Sequence, residues 1–583
     1  MLNIPRPEHP RPDRKREDWL SLNGVWDFEI DNSKCGIWKD FEKRESLSEK
    51  INVPFCPESK LSGLEYKDFM LAVWYRRDFS VPREWTGKRV FLHIGACDWQ
   101  STVYVNGERV GSHTGGYTPF EFDITDYIKE SGNYLTVYAE DDTRNTMQPT
   151  GKQATARLDH YGCYYTRNTG IWQTVWLEAR EAAHVLSYRA YPNITDGSVS
   201  LTVTANDAAR GKTLCVTASF EGRFMGKAET KIISSSATVS ISLLEKHLWD
   251  IGEGKLYDLK FELFDGERTD VMEGYFGLRE VGLTKRGFTL NGRVIYLRTV
   301  LDQGYYPDGI ITAPSDEWFI NDITYSMKCG FNGARLHQKV FEPRFLYHAD
   351  RLGYLCVGEY PNWGLDHTRR EAIYSFLPDW LAAVERDFSH PAIVAWGPFN
   401  ETWDIDNRKR DEALVEAIYD ITKTIDKTRP VFSDSGSWPV ARSDVHDVHD
   451  YEQDPNLFGE GFAEAGSGVI KDQLYRINPG RQKFDTSRPV FVSEYGGIKW
   501  IKGSSEQRSW GYGKDVTSEE EFFERLEGLT DVLLNNEYII GFCYTQLTDV
   551  ELEQNGILTY DREEKFSPEK FRRIFSKPSV IEK

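Results

Sequence analysis

No stretch of this 583-residue chain is apolar over the roughly 20 residues that a bilayer span needs. The opening decapeptide, Met1 to Pro10, has neither an apolar core nor a small-residue cleavage site, so no secretory signal is expected there. Cysteines are scattered, eight in all and never as a CxxC pair. That speaks against a zinc ribbon or a thioredoxin-like site. Cys97, Cys215, Cys356 and Cys543 sit in apolar runs, where a thiol acts as a small hydrophobe. Free thiols without a signal point to the cytoplasm. Basic charge is scarce too. The formal net charge of -20 argues against nucleic acid and acidic membrane surfaces as partners.

Aromatic residues are plentiful: 17 Trp, 30 Tyr and 32 Phe. They can fill cores and can also stack on the apolar faces of sugar rings. The length predicts two to four domains. Residues 1–180 read as short strands, including a 101–105 strand followed by the hairpin signal Asn106-Gly107. This pattern predicts a β jelly-roll sandwich. A second β block over 181–280 predicts an immunoglobulin-like β-sandwich. From 281 to 583 the rhythm becomes strand, loop, helix. Eight candidate strands fall at 294–300, 333–336, 354–358, 393–396, 431–433, 445–451, 490–493 and 539–544. Ser315 is expected to cap a helix over 316–329. Helical periodicity marks 370–387, and Thr517-Ser-Glu-Glu520 reads as a capping box for a helix to about Asn535. Eight βα units in about 300 residues predict a (β/α)8 TIM barrel.

Barrels of this kind keep their chemistry at the C-terminal ends of the strands. Glu401 follows the fourth candidate strand and Glu494 ends the seventh, half a turn away. Two carboxyl groups facing each other suffice to cleave a glycosidic bond, one protonating the leaving oxygen and the other attacking the anomeric carbon. Trp363 and Trp403 flank this region and offer either loop packing or a stacking platform for a sugar. A Trp-lined, partly dry pocket would raise the pKa of an acid at Glu401. His446 and His449 lie among carboxylates, but neighbouring positions of a strand point to opposite faces, so no metal or other cofactor is expected. His449 is expected to reach the pocket. Asp447 and Asp450 read as solvated loop carboxylates.

The chain resembles glycoside hydrolase family 2, which includes β-galactosidases, β-glucuronidases and β-mannosidases. In the first domain the resemblance rests on Val73-Trp-Tyr-Arg-Arg77, Val105-Asn-Gly107, Gly115-Gly-Tyr117 and Thr169-Gly-Ile-Trp172. In the barrel it rests on His390-Pro391, Asn400-Glu401 and Ser493-Glu-Tyr-Gly496. It implies a retaining exo-glycosidase with Glu401 as acid/base and Glu494 as nucleophile. Asn400 would bond the sugar 2-hydroxyl, while Arg335 and Tyr451 would hold the nucleophile. His337 is displaced by one position from the family's Arg-x-Ser-His-Tyr pattern. Where β-glucuronidases carry an Asn-x-Lys pair, this chain has Glu551-Leu-Glu-Gln-Asn-Gly-Ile557, which implies a neutral glycone. The β-galactosidases' first-domain Asp is missing around Gly162–Thr166, so the sugar stays open between galactose, mannose and a furanose. The expected partner is an oligosaccharide or glycoside, with a homo-oligomer possible. Two other classes remain: an inert carbohydrate-binding protein on the same scaffold, and an endo-glucanase with an open cleft.

Overall fold

The computed structural model describes residues 4–482, 484–502 and 509–583, so Met1 to Asn3 of the opening segment lie outside it. The first β region pairs a six-stranded with a four-stranded antiparallel sheet. Trp26, Phe28, Tyr75, Leu92, Val103, Val137 and Leu177 are buried in one core cluster of this sandwich. Asn106 and Gly107 both take positive φ, 54° and 80°, and join Gln100–Val105 to Glu108–Thr114. That is the backbone a two-residue hairpin turn with the native twist requires.

The second β region is a seven-stranded sandwich of a three- and a four-stranded sheet. Burial alternates strictly along Ser198–Ala205, as expected for a strand with one face in the core. Leu201, Val216, Val239, Leu259 and Phe261 belong to that core. This sandwich is pinned to the barrel by Tyr275, whose hydroxyl donates to Asp350 at 2.9 Å, and by Asp350 beside His390 at 2.6 Å. His390 of the family motif is therefore a structural residue.

Seven parallel strands form the barrel sheet. Their order is Ile393–Gly397, Leu355–Glu359, Gly333–Leu336, Leu297–Asp302, Ile539–Thr545, Val490–Gly496 and His446–Asp450. The expected strand at 431–433 is reduced to isolated parallel bridges, Trp396 with Val431 and Asn400 with Ser435. The cause is local: Pro398 and Pro430 lack the N–H that a continuous ladder needs. On the other side of the gap, Asp444 N–H donates to Val431 O at 3.0 Å, which closes the ring. The expected 294–300 strand also divides. Arg293–Ile295 joins a small antiparallel sheet, and Leu297–Asp302 enters the barrel.

Two caps differ from expectation. Ser315 is extended before helix Asp316–Lys328, but its side chain makes no capping bond; Asp316 in the first turn is held by Arg6, Arg344 and His348 instead. The box before helix Glu519–Leu534 is shifted by one residue. Ser518 accepts from Glu521 N–H, and Glu521 reaches back to Thr517. Cys97, Cys215, Cys356 and Cys543 are buried and unpaired, as read from sequence. Among the described residues no helix is long and apolar enough to cross a membrane.

Candidate active site

The loop after strand Ile393–Gly397 carries Asn400 and Glu401. Asn362 clamps it from both sides, donating to Asn400 O and accepting from Asn400 N–H, each at 2.9 Å. Glu401 N–H donates to Ser435 O at 2.8 Å. Held this way, Glu401 sits at φ 47°, a left-handed conformation that costs a non-glycine residue energy and marks functional sites. Its side chain is 17% exposed.

Glu494 lies inside strand Val490–Gly496 with both oxygens occupied. Arg335 donates to Oε1 at 2.8 Å and Tyr451 donates to Oε2. Burial opposes its ionisation, but His449, Arg335 and the Tyr451 bond outweigh that and hold the carboxyl well below the ordinary range. Arg335 also donates to Asn400 Oδ1 at 2.5 Å, to Ser493 O at 3.1 Å and to Glu359. Asn400 Nδ2 is buried without a protein partner, leaving a donor for a ligand.

His449 stands between the two glutamates. Its Nδ1 is 2.8 Å from Glu401 Oε1 and its Nε2 is 3.4 Å from Glu494 Oε1. Burial disfavours its charged form, yet Glu494 and Glu401 prevail and raise its pKa. Gly436 makes room for the ring, since a Cβ there would lie 2.1 Å from His449 Nδ1. Ser435 Oγ, 3.0 Å from His449 Nε2, links it to Asp447 at 3.0 Å.

The sequence reading brought together Glu401, Glu494, Asn400, Arg335, His449 and Tyr451, and these are linked through one another's polar contacts. His337 is 2% exposed and bonds Glu359 at 3.1 Å; burial and Arg335 depress its pKa strongly, so it is neutral. Trp403 is half-buried beyond Glu401. Trp363 faces the first domain, 5.2 Å from the ring of Tyr164. The group in contact with Glu401 is the His449 imidazole. Asp447 and Asp450 are not solvated: they are 8% and 0% exposed, Asp447 bonded to the serines and Asp450 paired with Arg476 at 3.2 Å. His446 points away from the site and packs on Phe484 at 3.8 Å.

Sequence reasoning missed Glu359, Asn362, Ser435 and Lys152. Glu359 ends strand Leu355–Glu359, so the same strand-end rule that found Glu494 could have found it. Lys152 comes from the first domain and had no local signal. Glu401, His449 and Glu494 each offer an atom within 4.8 Å of the others, the spacing of a metal site. Arg335, bonded to Glu494 at 2.8 Å and 3.4 Å from His449 Nε2, already brings a positive charge to that point.

The first two domains match the family models "Glycosyl hydrolases family 2, sugar binding domain" over residues 19–147 and "Glycosyl hydrolases family 2" over 183–279. A β-galactosidase of Thermoanaerobacter pseudethanolicus is 26% identical over 71% of this chain, which spans only 55% of that protein's length. The Sus scrofa β-glucuronidase is 24% identical, with 96% of this chain and 90% of that protein aligned. A Ruminococcus gnavus β-glucuronidase structure shares the fold over 98% of this chain and 100% of its own, with a TM-score of 0.79 at 19% identity. The two matched β domains, with relatives that align through the barrel, support glycoside hydrolase family 2 as the family of this chain.

Proposed function

We propose that the protein is an exo-acting retaining β-glycosidase, with Glu494 as nucleophile and Glu401 as acid/base, acting on a neutral, β-galactoside-like glycone. One observation carries the reading: Glu401 and Glu494 approach with oxygens within 4.8 Å, close to the roughly 5–5.5 Å carboxyl spacing of retaining enzymes. In the first step Glu494 forms a bond to the anomeric carbon, the glycosidic C–O bond breaks, and Glu401 gives its proton to the departing oxygen. In the second step Glu401 takes a proton from water, the water oxygen bonds the anomeric carbon, and Glu494 is released. Arg335 and Tyr451 keep Glu494 anionic before attack. His449 engages Glu401 Oε1, which leaves Oε2 to carry the proton.

Exo action is supported by the first domain, which covers one side of the barrel mouth. Tyr165 donates to Glu553 at 2.6 Å, and the Thr166 N–H donates to Glu551 at 3.0 Å. These two acids stand where a uronate-binding lysine was looked for. A second reading, a uronide glycone, draws on the relatives named β-glucuronidase and on the Lys152 ammonium near the pocket. A panel of p-nitrophenyl β-galactoside, β-mannoside, β-glucuronide and furanosides, followed by NMR of the first-formed product, tests both. Retained configuration on a neutral glycoside is expected. Inversion, or cleavage of no monoglycoside alongside cleavage of a polymer, would overturn the proposal.

A further inference from the structure

The segment of the first domain around residues 148–167 reaches across the barrel mouth and is tied down at several points. The N–H groups of Thr150 and Gly151 donate to Trp363 O at 2.7 and 3.1 Å. Tyr165 and Thr166 are bonded to Glu553 and Glu551. Between these anchors lies Lys152. Its carbonyl accepts from Tyr165 N–H at 2.7 Å, which fixes the main chain. Its Nζ lies 4.3 Å from the centroid of the Trp363 ring and 5.7 Å from that of Tyr165.

Lys152 is only 6% exposed. Among the described residues its ammonium makes no hydrogen bond to a protein acceptor and has no carboxylate within ion-pair distance. This sets it apart from Lys339, whose Nζ donates to Gly304 O and Ile311 O, both at 2.7 Å. A buried cation with unused donors is expensive unless something compensates it. Part of the compensation is electrostatic. Burial works against the charged form of Lys152, but Cys163, Glu553, Glu494 and Glu401 raise its pKa, so it stays an ammonium. Those charges include both glutamates of the candidate site and the acid bonded to Tyr165, so all three are near enough to act on the ammonium.

We propose that Lys152 is a specificity-determining residue through which the first domain reads the glycone, donating hydrogen bonds to a hydroxyl of the sugar held between Glu401 and Glu494, with the Trp363 ring beside it. The acceptor is a hydroxyl because Glu401, Glu494 and Glu553, though beyond ion-pair distance, already offset the charge of this ammonium. A uronate would add another negative charge to Glu401, Glu494 and Glu553, whereas a hydroxyl adds an acceptor and no charge. Buried donors built to hold a substrate hydroxyl discriminate strongly, since the analogue lacking that hydroxyl leaves them unpaired. The inference rests on the glycosidase reading above.

The test couples a protein change to a substrate change. Lys152→Met keeps the aliphatic stem and removes the ammonium. It is compared with wild type on the neutral p-nitrophenyl glycoside that wild type cleaves fastest and on its 2-, 3-, 4- and 6-deoxy analogues, with circular dichroism melting to establish the fold. Expected is a loss of about 10²-fold in kcat/KM on the parent and near-equality of the two proteins on one deoxy analogue. Equal losses on every analogue would overturn the assignment, and so would a loss confined to the p-nitrophenyl β-glucuronide. Should wild type cleave none of the glycosides, the glycosidase reading fails by itself. Binding of galactose and mannose, followed by tryptophan fluorescence, then decides Lys152 separately: affinity unchanged in Lys152→Met would sink it.

Discussion

Arg335 Nη1 lies 2.8 Å from Glu494 Oε1. The same guanidinium reaches Asn400 Oδ1 at 2.5 Å, so one rigid fork sets Glu494, the proposed nucleophile, and the amide next to Glu401, the proposed acid, at once. Lysine carries the charge but not the fork. Arg335→Lys is therefore expected to lower kcat/KM by roughly 10²-fold or more, the cost of misplaced reacting groups. A loss below tenfold in a folded variant would mean that charge alone suffices.

Leaving-group dependence separates the two glutamates. Glu494→Ala should abolish turnover of all substrates. Glu401→Ala should hurt substrates with poor leaving groups most, because activated aryl groups need little protonation. Azide should restore part of the Glu401→Ala activity and yield a glycosyl azide of retained configuration. Equal losses on activated and unactivated substrates would reverse or dissolve these roles.

The architecture was legible because its signals are local. Period-two burial such as that of Ser198–Ala205, and a turn such as Asn106-Gly107, are written in adjacent residues. The strand-end glutamates were legible for the same reason. What was lost came from long range. One exception is local: Pro398 and Pro430 thin the fifth strand to single bridges, which hydrophobicity does not report. Asp447 looks solvent-directed in sequence, yet barrel closure buries it against Ser435 and Ser493. Lys152 is separated by more than two hundred residues from Glu401, and only domain docking puts it near the pocket.

Chelation probes the site differently. Glu401, His449 and Glu494 have ligand-like spacing, but Arg335 is bonded to Glu494 and lies 3.4 Å from His449 Nε2. A cation there would meet a guanidinium and a raised-pKa imidazole. Dialysis against EDTA is expected to leave kcat/KM unchanged. A large loss reversed by one added divalent ion would show that the metal displaces Arg335.

Glu58 of the first domain should make stability fall with pH. It is 1% exposed, accepts one bond from Thr169 N–H at 3.2 Å, and leaves Oε1 without a partner. Burial pushes its pKa from the ordinary 4.5 up to about 8. Between those values the folded chain keeps a proton that the unfolded chain has released, so stability is full below 4.5 and is lost as pH rises toward 8. At about 1.36 kcal/mol per pKa unit, a rise from 4.5 to about 8 puts the loss at roughly 5 kcal/mol. Glu58→Gln keeps the shape and removes the titration. Its thermal midpoint should match wild type near pH 4 and exceed it progressively toward pH 8. Parallel curves for the two proteins across that range would show that the Glu58 carboxyl ionises in the fold at no cost, satisfied by a donor other than Thr169.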